Sequence, residues 1–150
     1  MIGKLSNLEI KELLEDNVFG HLGCNDGCNS YVYPSNYLYD GKHIICRSQD
    51  GFKNQVMRQN RRVCFQVDWI HDDQNWKSVM VHGAYEEIRD EMELENFNRA
   101  FNDRRFFLKM SKTTTTNQGS IPGVTDQTKI GTSIIFRILI DEKNGRFEKN

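Results

Sequence analysis

This sequence of 150 residues has no long apolar run, no block of charge of one sign and no dense cysteine framework, and each absence excludes a class. No stretch reaches the ~18 consecutive apolar residues of a membrane-spanning helix, and "MIGKLSNLEI" lacks the apolar centre of a secretion signal. The expectation is a cytoplasmic protein with no membrane partner. Lys and Arg number 20 against 21 Asp and Glu, for a net charge of -1, so the basic stripe of a nucleic-acid binder is missing. Four cysteines are too few for a disulfide scaffold and are expected to stay reduced. Cys24 and Cys28 are spaced Cys-x3-Cys but have no second pair at a zinc-ribbon distance, so no metal site is expected. There is no Gly-x-Gly-x-x-Gly and no regular alternation of strand and helix, which excludes a doubly wound fold. Neither a Gly-x-Ser-x-Gly elbow nor a paired nucleophile and base is found.

The chain reads as one domain over residues 1–150, without repeats and long enough to bury a core. "SNLE" at 6–9 is a capping box opening a helix with Ile10, Leu13 and Leu14 on one side, ending near Asn17. Strands are predicted over 18–24, over 30–40 with a break at Pro34, and over 42–48, the last two joined by the hairpin signal Asp40-Gly41. A short helix follows in "FKNQVMRQN". "RVCFQVDW" puts Val63, Phe65, Val67 and Trp69 on one face, and "WKSVMVHGAYEEI" is another long strand. The helix in 89–107 should bury Met92, Phe97, Ala100 and Phe101. Residues 108–132 read as a long loop or flap, and "SIIFRILIDEKNGRF" as a strand and turn. About six strands with short hairpins and flanking helices predict a mainly β protein, a mostly antiparallel sheet closed into a small barrel.

The stretch "RSQDGFKNQVMR" (47–58) carries the strongest chemical signal. A strand ending in Arg47-Ser48, a tight Asp50-Gly51 turn and a helix from Phe52 make an anion site, because a helix's first turn leaves N–H groups unpaired and about half a positive charge. Ser48 adds a hydroxyl, and Lys53 and Arg47 add full charges. Asp50 is the objection, met if its carboxylate caps the helix and faces away. The same residues also read as ordinary turn chemistry with solvated cations. Polar groups inside "YPSNY" and "WKSVMVHG" tilt the balance, since such groups in barrel strands often face a ligand. Together they suggest a flat heteroaromatic ligand carrying a phosphate.

Among the remaining polar residues, His71-Asp72-Asp73 reads as a solvated loop and His82 as structural. Cys46 and Cys64 read as small apolar packing groups. Glu86-Glu87 and Asp90-Glu91 read as surface or helix-start carboxylates. Trp76 has a better claim to a ligand than Trp69, because Ser78 follows it on the same face.

In order along the chain, "GHLGC", "YVYPSNYLYDGKHIICRSQDGFKNQVMRQNRRVCFQVD", "WKSVMVHGAYEEI" and "IIFRILIDEKNGR" resemble the FMN-binding split-barrel proteins related to pyridoxamine-5'-phosphate oxidase, closest to the nitroimidazole-resistance branch. The resemblance implies a homodimer of six-stranded antiparallel split barrels of Greek-key type, with FMN at the subunit interface. By position, Ser48 and Lys53 would hold the phosphate, with Arg47 nearby and Arg58 as a secondary candidate. Ser35, Asn36 and Tyr37 would line the ring and ribityl side, and Trp76, Ser78 and Val79 would approach from the neighbouring strand. The implied activity is an FMN-dependent reduction of a small electrophile such as a nitroaromatic, with electrons from NAD(P)H. The flavin carries that chemistry, so no catalytic side chain is assigned. The alternatives are a flavin-binding or redox-sensing protein without turnover, a haem-handling split barrel using His21, His43, His71 or His82, and oxidation of a B6 vitamer such as pyridoxamine phosphate. The sequence departs from the family at Arg47, where many relatives have histidine, and at Arg61, where proline is common. Residues 108–132 carry no recognisable motif.

Overall fold

Hydrogen bonds local to each turn set the first elements. In the computed structural model, which describes residues 1–111 and 133–150, Ser6 Oγ accepts from the Glu9 amide (3.2 Å) and Glu9 Oε1 accepts from the Ser6 amide (2.9 Å). This box starts helix α1 (Asn7–Asp16), which buries Ile10, Leu13 and Leu14. A three-residue strand, β1 (Ile2–Lys4), precedes it. Strands β2 (Phe19–Asn25), β3 (Ser30–Tyr39) and β4 (His43–Gln49) then follow by hairpins. In the second hairpin Asp40 Oδ1 accepts from the amides of Lys42 and His43, and Gly41 adopts φ +97°, a conformation that favours glycine. Helix α2 (Phe52–Gln59), strands β5 (Arg62–Asp72) and β6 (Asn75–Glu87), helix α3 (Glu91–Ser111) and strand β7 (Ser133–Glu148) complete the order.

All strand pairings are antiparallel, and the sheet order β1-β7-β4-β3-β2-β5-β6 is closed by pairing of β6 with β7. Six strands therefore form a barrel and β1 adds to the outer half of β7. Strands β2, β3 and β4 meander, and β5 returns through α2 to lie beside β2, which is the Greek-key order. Inward residues of the six barrel strands, including Leu22, Tyr37, Cys46, Phe65, Val79, Val81 and Phe136, make the main core. A smaller core of Ile45, Ile88, Phe101 and Ile135 lies under α3. The Tyr37 hydroxyl donates to the Leu14 carbonyl (2.6 Å), fixing α1 to the barrel.

The barrel is split at one seam. Strand β3 pairs with β2 over seven residues, Phe19–Asn25 against Ser30–Asn36, but with β4 only through Tyr37, Leu38 and Tyr39. Residues 30–36 have no partner on the β4 side, which is where Pro34 is tolerated without a donor.

Several sequence expectations are corrected. Trp69 does not follow Val63, Phe65 and Val67 into the core but is 47% exposed, because β5 continues past the barrel wall into the β5–β6 hairpin. Met92 is 71% exposed, and Leu94 packs with Phe97 and Phe101 instead. The last strand has no turn at Asn144-Gly145. It runs unbroken to Glu148 along β6, with a register shift between His82 and Gly83. Gly145 is required by close packing, since a Cβ there would lie 2.8 Å from Leu5 Cδ1. Helix α3 reaches Ser111, so residues 108–111 are helical, and the rest of the expected flap, 112–132, lies outside the described residues. No helix among the described residues is long and apolar enough to cross a membrane.

Gly83 is the tightest point of the closure, where a Cβ would lie 2.2 Å from the Leu139 carbonyl oxygen. Gly83→Ala should destabilise the fold by about 1–3 kcal/mol. A lowered urea midpoint is the expected result, and an unchanged one would show that the β6–β7 closure can relax.

Candidate functional site

Alternation along β4 separates its neighbouring residues. Ile44 and Cys46 belong to the barrel core and Ile45 to the core under α3, so Ser48 faces inward and Arg47 outward. Arg47 donates from Nη1 to Asn98 Oδ1 (2.9 Å) and Asn102 Oδ1 (3.3 Å), with its guanidinium 5.1 Å from the Phe101 ring centre. It clamps β4 to α3 and is not turned toward Ser48.

The Ser48 hydroxyl is buried and has no hydrogen-bond partner. Two residues further on, the backbone turns through Asp50 and Gly51 into α2, with Gly51 as the N-cap in extended backbone. The amides of Phe52 and Lys53 lie in the first turn, beyond the reach of intrahelical acceptors. Lys53 lies over the Tyr33 ring, with Nζ 5.4 Å from its centre, and has no carboxylate partner among the described residues. Its charge also reaches the Cys24 and Cys46 thiols. Burial dominates at Cys46 and pushes its thiol up to about 12, with a Ser35 hydrogen bond and Lys53 opposing weakly. Ser35 donates from Oγ to the Asn36 carbonyl (2.9 Å) and, like Asn36, is half-buried on β3. These residues form the walls of the split: a hydroxyl without a partner, a cation without a counter-charge and the open end of a helix.

Tyr37 and Val79 have wholly buried side chains in the barrel core, which leaves only their backbone groups for a ligand. Arg58, expected as a secondary phosphate ligand, is engaged elsewhere. Its Nε donates to Glu87 Oε2 and its Nη2 to Asp50 Oδ1 (3.0 Å). Asp50 therefore pairs with Arg58 and does not cap α2 as expected. The Gly51 amide instead donates to Asn54 Oδ1 (3.3 Å), and Asn54 Nδ2 donates to the Tyr85 hydroxyl (3.3 Å). Tyr85 in turn donates to Glu87 Oε2 (2.8 Å), which closes a ring of side chains behind the turn. Burial pushes the Tyr85 hydroxyl up to about 12, assisted by the neighbouring Glu87 carboxylate. Burial would also raise Glu87, but hydrogen bonds from Arg58 and Tyr85 outweigh it and hold the carboxyl below its ordinary range.

The sequence reading gives Asn54 and Tyr85 no role and Glu87 none beyond a surface or helix-start carboxylate. Glu87 reads there as a surface carboxylate because its partner Arg58 is 29 residues away, beyond any local periodicity. Asn54, a polar residue with no exposed surface, gives no signal in a short polar helix.

Trp76 and Ser78 lie elsewhere. Only β7 lies between β4 and β6, but Ser48 is opposite Ile134 and Ser78 opposite Arg146, positions far apart along β7 at roughly 3.3 Å per residue. Trp76 Nε1 donates to Glu148 Oε2 (3.1 Å), and Ser78 Oγ accepts from Gln66 Nε2 (3.0 Å). Trp76 borders a cavity of about 840 Å³ between α1 and the β5–β6 hairpin, shared with Leu13, Trp69 and Phe147. His82 lies on the outer face of β6 opposite Cys64, with Nδ1 buried and unpartnered.

A hydroxyl buried without a partner costs on the order of 1–3 kcal/mol of desolvation. Ser48→Ala should therefore leave the unliganded protein as stable as before or about 1 kcal/mol more stable. A clear loss in thermal unfolding would mean that the hydroxyl has a structural partner.

The comparisons with known proteins agree with this architecture. Residues 6–146 match the family model for pyridoxamine 5'-phosphate oxidase. The crystal structure of an FAD-binding protein from Mesorhizobium loti is similar to the chain at 31% identity, covering 100% of this chain and 98% of that one with a TM-score of 0.74. An FAD-binding protein from Mycobacterium smegmatis shares the fold at 23% identity over 97% of this chain and 98% of that one, TM-score 0.66. So does a protein from Bacteroides thetaiotaomicron provisionally assigned to 5-nitroimidazole antibiotic resistance, at 18% identity over 98% of this chain and 87% of that one, TM-score 0.64. An uncharacterised protein of Rhizobium meliloti (strain 1021) is 30% identical over 84 residues, a match spanning 56% of each chain. The extent of the family match and the full-length likeness to the Mesorhizobium loti protein together show that this chain belongs to the pyridoxamine 5'-phosphate oxidase family.

Proposed function

We propose that the chain is an FMN-dependent oxidoreductase whose cofactor phosphate docks in the split between β3 and β4. The observation that carries this reading is the Ser48 hydroxyl, buried and unpartnered, beside Lys53 and the open first turn of α2. A phosphate supplies acceptors to that hydroxyl and to the Phe52 and Lys53 amides, and its charge matches the Lys53 ammonium. In this reading Ser35 and Asn36, half-buried on the facing strand, meet the polar side of the ring and its linker.

The flavin, when bound, supplies reversible two-electron transfer, here from NAD(P)H to a small electrophile such as a nitroaromatic. The chain's own residues bind and orient. Lys53 fixes the charged tail, and the Asn54–Tyr85–Glu87 ring holds the turn from behind. A homodimer completes the site in this reading, because one chain holds Ser48 and the Trp76–Ser78 segment against opposite ends of β7. A second copy can present them to the same ligand. A cytoplasmic location is consistent with the four cysteines remaining free.

A second reading concerns the cofactor's length. The Mesorhizobium loti relative is an FAD-binding protein, and FAD shares the phosphate that the split would hold. Mass analysis of the extracted cofactor distinguishes the two.

The purified protein is expected to show a flavin absorption band or to acquire one on addition of FMN. Protein that stays colourless and does not bind FMN would end the proposal. Lys53→Glu should weaken FMN by at least about tenfold while changing riboflavin, which lacks the phosphate, by less than about threefold. Equal losses for the two would remove Lys53 as a phosphate ligand.

A further inference from the structure

An anion bound at Ser48 and Lys53 has a carboxylate as a close neighbour. Asp50 lies two residues past Ser48 and immediately before the N-cap Gly51, where its negative charge repels an anionic ligand and offsets the helix's partial positive end. The structure answers this charge from the far end of the same helix. Arg58, on the last turn of α2, leans toward the helix N-terminus, as helical side chains do, and its Nη2 reaches Asp50 Oδ1 at 3.0 Å. Its Nε is held at the same time by Glu87, which also accepts from Tyr85 (2.8 Å) and Arg89 (3.1 Å). A guanidinium fixed between two carboxylates cannot turn to a ligand without giving up both bonds and removing the ion pair of Asp50.

We propose that Arg58 is a positioning and screening residue: it neutralises Asp50 and ties the Asp50-Gly51 turn to the end of β6, so that a phosphorylated ligand is accepted at Ser48 and Lys53 without contact to Arg58. This rests on the reading that a flavin phosphate occupies the split. Arg58 then sets the preference for a phosphorylated over an unphosphorylated ligand while touching neither. Lys53 projects from the opposite side of the helix, toward Tyr33, so the two cations do different work despite lying five positions apart.

The test is a double-mutant cycle on the full chain, with FMN and riboflavin titrated in parallel and folding checked by circular dichroism. Arg58→Gln exposes the Asp50 charge and should weaken FMN by about tenfold while moving riboflavin less than about twofold. Adding Asp50→Asn to Arg58→Gln should return FMN affinity to within about threefold of the native value, because the charge that needed screening is gone. Arg58→Lys, which keeps the charge but cannot bridge both carboxylates, should retain most of the affinity. The proposal is overturned if the double variant stays as weak as Arg58→Gln, which would make Arg58 a direct ligand. Equal loss of riboflavin would also overturn it, by showing a purely structural role. If Arg58→Gln does not fold, the Asp50→Asn variant decides: it should bind FMN at least as tightly as the native protein, and weaker binding refutes the screening role. A native protein that binds neither flavin refutes the proposed function itself, an outcome separate from all of these.

Discussion

The short pairing between β3 and β4 is the constraint on which the rest of the structure depends. Three residues of β3, Tyr37 to Tyr39, meet β4, and beyond them the two strands part. Everything of chemical interest lies where they separate. The last inward residue of β4 keeps Ile134 of β7 as a neighbour but has none on the β3 side, α2 starts near the space created, and Pro34 needs no acceptor across the gap. A fully zipped β3–β4 hairpin would give a more regular barrel with no room for a charged ligand at its wall. The seam is held open from both sides: Arg47 draws β4 outward onto α3, and Phe52 packs edge-to-face on Tyr31 at 5.2 Å to hold α2 against β3.

The second theme is a polar ring enclosed by the fold. Asn54, Tyr85, Glu87, Arg58 and Asp50 join the start of α2 to the end of β6 through consecutive hydrogen bonds. Buried polar groups are tolerable when each is satisfied, and this ring leaves few of its atoms without a partner. Ser48 breaks that rule a few residues away. The contrast within one turn is sharp: satisfied polar groups hold the backbone in place, and the unsatisfied one is where the proposed phosphate would dock.

Local chemistry made much of the fold readable from the sequence. The capping box at Ser6 and Glu9, the Asp40-Gly41 hairpin, and the alternating core of Val63, Phe65 and Val67 are all set by residues within a few positions of one another. The turn from Ser48 to Lys53 is local too, and its backbone, a strand leading through Asp50-Gly51 into a helix from Phe52, follows the sequence reading, whereas Arg47 and Asp50 point to other partners. What escaped depends on distance along the chain. Arg58 meets Glu87 across 29 residues, and Trp69 leaves the core because the β5–β6 hairpin outgrows the barrel. Asn144-Gly145 has the composition of a turn, yet Gly145 is there because Leu5 and Ile10 press against it. Strand β1 was too short to carry a period and exists only because β7 offers it an edge.

Arg47 and Ser48 are joined by one peptide bond, and the pleat gives them opposite neighbours: one grips α3, the other faces the interior. A rotation of that strand about its own axis would therefore move both side chains together. The clamp of Asn98, Asn102 and Phe101 on Arg47 thereby acts as a set-screw on the hydroxyl's angle, and a helix on the outside of the barrel governs the aim of a group within it.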